Sequence, residues 1–218
     1  MLIAARNGFL AEKRLPYDAE VEYLEATGNT ADDNRSVWIP TDVILFNNPI
    51  IEISVQPTSF STFSWVAGAR SFDRNTFCNV GVNTDSGYPR AVYGRNVSRN
   101  AVSALSMGRF NVVKMTKGAL IVDGATRLNY SSQSITTQLS SGPGLALFTC
   151  SQMISGSVSC GIGLTGRIAW CKVWNDDGAT LVGDFTMVRK DGVGYAYNKI
   201  NGMIYGATNG ALVIGPDK

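Results

Sequence analysis

Leu164-Thr-Gly-Arg-Ile-Ala-Trp-Cys-Lys-Val-Trp-Asn-Asp-Asp-Gly-Ala-Thr-Leu-Val-Gly-Asp-Phe-Thr-Met-Val188 is the stretch whose reading decides the fold. Strict alternation places Ile168, Trp170, Lys172 and Trp174 on one face of an extended segment and Ala169, Cys171 and Val173 on the other. The β-branched and aromatic content favours a strand. Asn175-Asp176-Asp177-Gly178 supplies residues that tolerate positive φ, so the chain can reverse into a second strand over 179–188. A long hairpin with apolar side chains on both faces belongs inside a stack of sheets, at the centre of the fold. Trp170 and Trp174 read there as core-filling aromatics.

Further strands follow outward from the hairpin. Residues 17–28 alternate well enough for a first strand, and Val37-Trp38-Ile39 is a short one ended by Pro40. In 49–56, Ile51, Ile53 and Val55 point inward while Glu52, Ser54 and Gln56 point outward. Segments 63–69, 76–82, 90–93, 109–115, 119–122, 125–130 and 144–148 complete the set. Turn signals such as Lys117-Gly118, Asp123-Gly124 and Ser140-Ser-Gly-Pro-Gly144 recur between them about every ten residues. No segment carries an apolar stripe of helical period. The expectation is an all-β, two-sheet antiparallel sandwich of the jelly-roll kind. Residues 1–16 form a short N-terminal arm closed by Leu15-Pro16, and residues 17–218 form one domain.

At 218 residues the chain can bury a sizeable core without disulfide or metal staples. A net charge of +2 with no basic stripe argues against a nucleic-acid partner. No apolar run reaches the length of a signal-peptide core or a membrane span. Cys78, Cys150, Cys160 and Cys171 lack metal-site spacing, and with no histidine in the chain they read as buried thiols. Only Cys150 and Cys160, flanking a hairpin loop, invite a test for pairing. The absence of histidine also removes triads, zinc hydrolysis and histidine acid/base chemistry, so no catalytic residue is assigned.

The segments Tyr23-Leu-Glu-Ala-Thr-Gly28, Gly68-Ala-Arg-Ser71, Gly166-Arg-Ile-Ala-Trp-Cys-Lys-Val-Trp174, Leu181-Val-Gly-Asp-Phe185, Asp191-Gly-Val-Gly194, Asn201-Gly-Met-Ile-Tyr205 and Gly215-Pro216 run in an order and spacing that covers nearly everything from Tyr17 onward. In them the chain resembles the concanavalin A-like, laminin-G-like jelly-roll domains of gut bacterial, prophage and phage proteins. It departs from them where Asn29–Arg35 expands a loop and Trp38-Ile-Pro-Thr-Asp42 stands for Tyr-Ile-Asp-Thr-Gly. The resemblance implies the lectin/glucanase type of jelly roll and a carbohydrate-binding or adhesion module. Its implied setting is a virion appendage, a head-fibre or tail-decoration component that contacts host-surface glycan and lies in the cytoplasm before assembly. A purely structural protein–protein module of a virion or cell-surface assembly is the alternative.

Aromatic faces stack on sugar rings while neighbouring polar side chains bond hydroxyls. On that chemistry the expected ligand-binding residues are Tyr88, Arg90, Tyr93, Arg95 and Asn96, in a glycine-punctuated segment read as exposed, together with Trp38. Glu20, Glu22 and Glu25 resemble the paired carboxylates of laminarinase-like hydrolases on this fold. A retaining mechanism needs its two carboxyls about 5 Å apart, and Glu20 and Glu22 could meet that on one strand face. The segment opens the domain rather than crossing its middle, and a solvated strand face is the preferred reading. No metal is assigned. Asp32-Asp33-Asn34 and Asn175-Asp176-Asp177 offer calcium oxygen ligands, and turn chemistry accounts for both equally well. The arm is expected to dock on virion or surface proteins or on a second copy of the chain, through Leu2, Ile3, Phe9 and Leu10.

Overall fold

The computed structural model describes residues 15–27, 35–60, 64–71, 76–83, 86–94, 97–101, 103–131, 134–136, 139, 144–154 and 157–218. In chain order the strands are β1 (Ala19–Glu20), β2 (Leu24–Ala26), β3 (Ile39–Pro40), β4 (Ile50–Pro57), β5 (Ser64–Arg70), β6 (Phe77–Val82), β7 (Pro89–Gly94), β8 (Val97–Asn100), β9 (Asn111–Met115), β10 (Ala119–Val122), β11 (Ala125–Asn129), β12 (Ala146–Leu147), β13 (Ser151–Ile154), β14 (Ser157–Cys160), β15 (Gly166–Asn175), β16 (Thr180–Lys190), β17 (Val193–Asn198), β18 (Met203–Gly206) and β19 (Val213–Ile214). The larger sheet runs β11-β10-β9-β4-β15-β16-β17-β18, with β1 on β16, β2 on β15 and β19 on β2. The smaller runs β14-β13-β5-β6-β7-β8, with β12 bridging β5 and β3. Strand-to-strand pairing among the described residues is antiparallel apart from the parallel contact of β13 with β5, and the isolated bridge of Trp65 with Gly163 is parallel as well. The architecture is a two-sheet jelly-roll sandwich. No helix among the described residues is long and apolar enough to cross a membrane.

Turn chemistry sets the hairpins. Asp123-Gly124 between β10 and β11, and Asp191-Gly192 between β16 and β17, both take positive φ at both residues. That geometry matches the twist of the flanking strands and suits Asp-Gly. After β15, Asp176, Asp177 and Gly178 all have positive φ, in a 3-10 turn that returns the chain into β16. Between the sheets, Ile51, Ile53 and Val55 of β4 meet a shared core that includes Val113, Met115, Phe185 and Met187 from the larger sheet and Val66, Val80 and Tyr93 from the smaller.

The central strand departs from strict alternation. β15 pairs with β4 through Ile168↔Val55 and then Trp170↔Ser54, so Ala169 has no partner on β4. This one-residue bulge turns Ile168 to the core side with Cys171 and Val173, each at 0 % exposure. Trp170, Lys172 and Trp174 face outward and are half-buried. The expectation that Ile168 shares a face with the tryptophans, and that Trp170 and Trp174 fill the core, is corrected by that extra residue. The first strand is also corrected. A bend at Glu22 splits it into β1 and β2, which pair with β16 and β15 respectively.

Of the expected arm, residues 1–14 lie outside the described residues, and Leu15 and Pro16 are exposed. All four cysteines are buried thiols, and Cys150 and Cys160 are not joined. Burial without compensating charge raises the Cys78 and Cys171 thiols well above their ordinary range.

The bulge makes a testable distinction. Ile168→Ala should cost about 2–5 kcal/mol in urea unfolding, the usual price of truncating a large buried aliphatic side chain. Trp170→Ala, from the outer face, should cost less although its side chain is larger. Equal losses would mean that the two residues share the core face.

Candidate functional site

The outer face of the larger sheet is built in cross-strand rows. Lys114 on β9, Glu52 on β4, Lys172 on β15 and Asp184 on β16 stand directly opposite one another in sequence. One step along the strands, Ser54, Trp170, Thr186 and Tyr197 form the next row. Over these rows opens a cleft of about 450 Å³ lined by Glu20, Glu52, Trp170, Lys172, Asp184, Phe185, Thr186, Lys199 and Lys218. Three carboxylates, three ammonium groups, a hydroxyl and an indole thus share one surface.

Most of the charges are already engaged. Glu20 accepts hydrogen bonds from the Tyr17 hydroxyl and the Thr186 hydroxyl, each at 3.2 Å. It also pairs with the Lys199 ammonium at 3.4 Å and the Lys218 ammonium at 3.8 Å. Partial burial pushes the Glu20 carboxyl up, but the Lys199 charge and the hydrogen bonds from Lys199, Tyr17 and Thr186 outweigh it and hold the group below the ordinary carboxylate range. Burial, with the Glu20 charge second, pushes the Tyr17 phenol up to about 12. Glu52 pairs with the Lys114 ammonium at 3.1 Å, and the same ammonium sits 5.3 Å from the centre of the Trp174 ring. Trp174 therefore has one face occupied by a cation.

Trp170, Lys172 and Asp184 differ. Among the described residues no second ring or cation lies over Trp170, and neither the Lys172 ammonium nor the Asp184 carboxylate has an ion-pair partner. The backbone beneath them is fixed. The Asp184 amide donates to the Asn198 Oδ1 at 3.0 Å, and its carbonyl accepts from the Lys199 amide at 2.8 Å.

The sequence-derived ligand residues do not gather at this cleft. Tyr93 is at 0 % exposure, and its hydroxyl donates to the Pro49 carbonyl at 3.1 Å. It points into the core because it shares its face of β7 with Ala91, opposite Cys78 and Val80. Trp38, at 4 % exposure, packs on Ala146 and Cys160 and is bonded through its backbone to Thr208. Tyr93, read as exposed, is corrected to an interior residue, and Trp38 is buried too. Tyr88 and Arg90 are half-buried at the smaller sheet, with burial lowering the Arg90 guanidinium, and Arg95 and Asn96 lie outside the described residues. Parity along β7 was the available signal: Arg90 and Tyr93, three apart, cannot share a strand face. Alternation also places Glu52 and Lys172 outward, yet only tertiary structure brings Glu20, Lys199 and Lys218 beside them.

Nor does the structure gather Glu20, Glu22 and Glu25 at the cleft: only Glu20 lines it, because the bend at Glu22 ends the strand face that Glu20 and Glu22 were expected to share. Glu25 pairs instead with the Arg167 guanidinium at 2.9 Å. At the other candidate ion site, Asp176 accepts from the Asn47 amide at 2.7 Å and the Thr180 hydroxyl at 2.9 Å, and Asp177 from the Asn48 amide at 3.2 Å. The hydrogen bonds from Asn47 and Thr180 hold the Asp176 carboxyl below its ordinary range. Among the described residues no group of three or more acidic, cysteine or histidine side chains could hold a metal. Asp32, Asp33 and Asn34 lie outside the described residues.

No protein-family model matches the chain, and no curated protein does. Solved structures do. A candidate carbohydrate-binding protein from Bacteroides ovatus superposes with a TM-score of 0.61 at 12% identity, over 91% of this chain and 61% of that one. This chain therefore spans less than two thirds of that protein's length. A heptameric SAP-like pentraxin from Limulus polyphemus superposes with a TM-score of 0.58 at 10% identity, over 92% of this chain and 97% of the pentraxin. At these identities the likeness shows the fold alone, a two-sheet jelly-roll sandwich.

Glu20 couples stability to pH. Its carboxyl titrates lower in the folded chain than in the unfolded one, so its contribution is complete above the ordinary value of 4.5 and is lost as pH falls through the lowered one. In thermal melts from about pH 6 to pH 3, the parent chain should lose more Tm than Glu20→Gln, and the two curves should converge at the acid end. Parallel curves would show that Glu20 carries no such linkage.

Proposed function

We propose that the chain is a non-enzymatic glycan-binding or adhesion module and that the Trp170 cleft is its sugar site. The observation that carries this reading is an indole over which, among the described residues, no ring or cation lies, set between hydrogen-bonding side chains on a sheet. Sugars are bound in this way, by stacking on an aromatic plane while polar groups fix the hydroxyls. The carbohydrate-binding description of the Bacteroides ovatus protein points the same way. Glu20 does not suit the acid of a glycosidase, which must hold its proton near neutral pH, because this carboxyl is held in the opposite direction. Tyr88 and Arg90, at the other sheet, stand outside the proposed site.

A glycan array followed by calorimetry on the purified chain tests the assignment. Trp170→Ala should weaken binding about tenfold or more, because a stacked aromatic anchor typically contributes at least the 1.4 kcal/mol that a factor of ten represents. The variant should keep its cooperative melt. Absence of binding to any glycan at millimolar concentration would favour the structural protein–protein module. Turnover of a β-glucan, lost in Glu20→Gln, would overturn the non-enzymatic reading.

The setting we infer is a phage or prophage virion appendage, a head-fibre or tail-decoration component, and its support is the sequence resemblance. Within that reading residues 1–16 are an attachment or oligomerisation arm, supported by the apolar side chains of Leu2, Ile3, Phe9 and Leu10 beside Arg6, Lys13 and Arg14. Deleting residues 1–15 should leave the Tm unchanged while lowering the mass seen by light scattering or abolishing incorporation into a particle. Unchanged mass and assembly would leave the arm without a role.

A further inference from the structure

We propose that the cleft is selective for an acidic sugar, a pyranose carrying one carboxylate, held with its ring on Trp170 and its carboxylate on Lys172. The inference rests on the glycan-site reading and deepens it. Its basis is a compact platform of four side chains on two paired strands. Trp170 stands opposite Thr186, and Lys172 stands opposite Asp184, two residues further along β15. Neighbouring strands lie about 4.8 Å apart and side chains two residues apart are separated by about 6.7 Å, so the platform has roughly the dimensions of a single sugar ring.

Charge decides which kind of ring. Glu52 is neutralised by Lys114 from outside the cleft, and Glu20 is shared by two ammonium groups, Lys199 and Lys218. The surroundings of the platform therefore carry an excess of positive charge. Within it, Lys172 and Asp184 are the members without an ion-pair partner among the described residues. A carboxylate on the ligand completes Lys172 and benefits from the excess, while Asp184 accepts hydrogen bonds from ring hydroxyls. An amine on the ligand would reach Asp184 beside the Lys172 ammonium, which stands opposite it, and would meet repulsion there.

The test measures binding of three probes by calorimetry at low salt: oligogalacturonate, a neutral cello-oligosaccharide and a chitosan oligosaccharide. Oligogalacturonate should bind about fivefold more tightly than the neutral chain, the scale of one partly exposed ion pair, and the gap should close as salt screens it. Lys172→Gln should abolish the preference, weakening oligogalacturonate binding by more than it weakens neutral binding, and Lys172→Arg should retain it. Both variants change a surface residue, and their melting curves report that the fold is kept. Equal affinity for the acidic and neutral probes, tighter binding of the chitosan probe, or a preference indifferent to Lys172→Gln overturns the acidic-sugar assignment but leaves a glycan site standing. No binding of any probe overturns both.

Discussion

Hydrogen bonding holds β15 on both sides, to β4 along one edge and to β2 and β16 along the other. A strand in that position has no freedom to rotate, so the identity of its inward side chains fixes how the two sheets approach. The extra residue at Ala169 changes that identity halfway along. On one side of it Ile168 reaches the core, and on the other Cys171 and Val173 do, which leaves Trp170, Lys172 and Trp174 to solvent. The outward placement of the tryptophans follows from the register that β4 and β16 impose on β15, since an indole would bury at least as much apolar surface as the residues that face inward. The cleft exists because the core is satisfied without them.

A second constraint ties the ends of the described chain to the same place. β1 joins β16, the backbone amide of Lys218 donates to the Glu20 carbonyl, and the Glu20 side chain gathers Tyr17, Thr186, Lys199 and Lys218. Segments far apart in sequence are thereby fastened over the splayed ends of β15 and β16. The opposite end of the hairpin has its own fastening, where Asn47 and Asn48 donate to Asp176 and Asp177 and the Asp177 amide donates to the Asn47 carbonyl. All four residues have positive φ. Asn and Asp tolerate that region because their side chains find local hydrogen bonds, and here they find them in each other's loops.

Local physics was legible in the sequence, and distant pairing was not. Alternation in 49–56 gave the inward Ile51, Ile53 and Val55, and the Asp-Gly and Asn-Asp-Asp-Gly signals marked turns that the structure has. A bulge leaves no mark of its own, because one unpaired residue in an otherwise alternating run is identical to alternation until the partner strand is known. Ile168 was placed on the face of the tryptophans for that reason, and the tryptophans were assigned to the core because large aromatics usually fill one. Tyr93 was a different kind of error, since its parity with Ala91 was readable and the aromatic–arginine composition of the segment outweighed it. The amide clasp on Asp176 and Asp177 joins positions 129 apart, beyond any local signal, so turn and ion-site readings of those carboxylates were equivalent until the loops met.

The two faces of the larger sheet operate under unequal constraints, and this bears on where binding can evolve. Inward positions are buried, and truncating a large side chain there costs transfer and cavity energy together. Outward positions contribute through cross-strand ion pairs such as Glu52–Lys114, which in solvent are individually worth about 0.2–1 kcal/mol. A change of sign or size there alters the surface while scarcely touching the stability of the sandwich. The backbone that presents those side chains is set by the inner face and stays rigid whatever they become. Substitutions along β4, β15 and β16 can therefore change the charge and shape of this face while leaving the sandwich in place, and the alternating charges around Trp170 are one product of that separation.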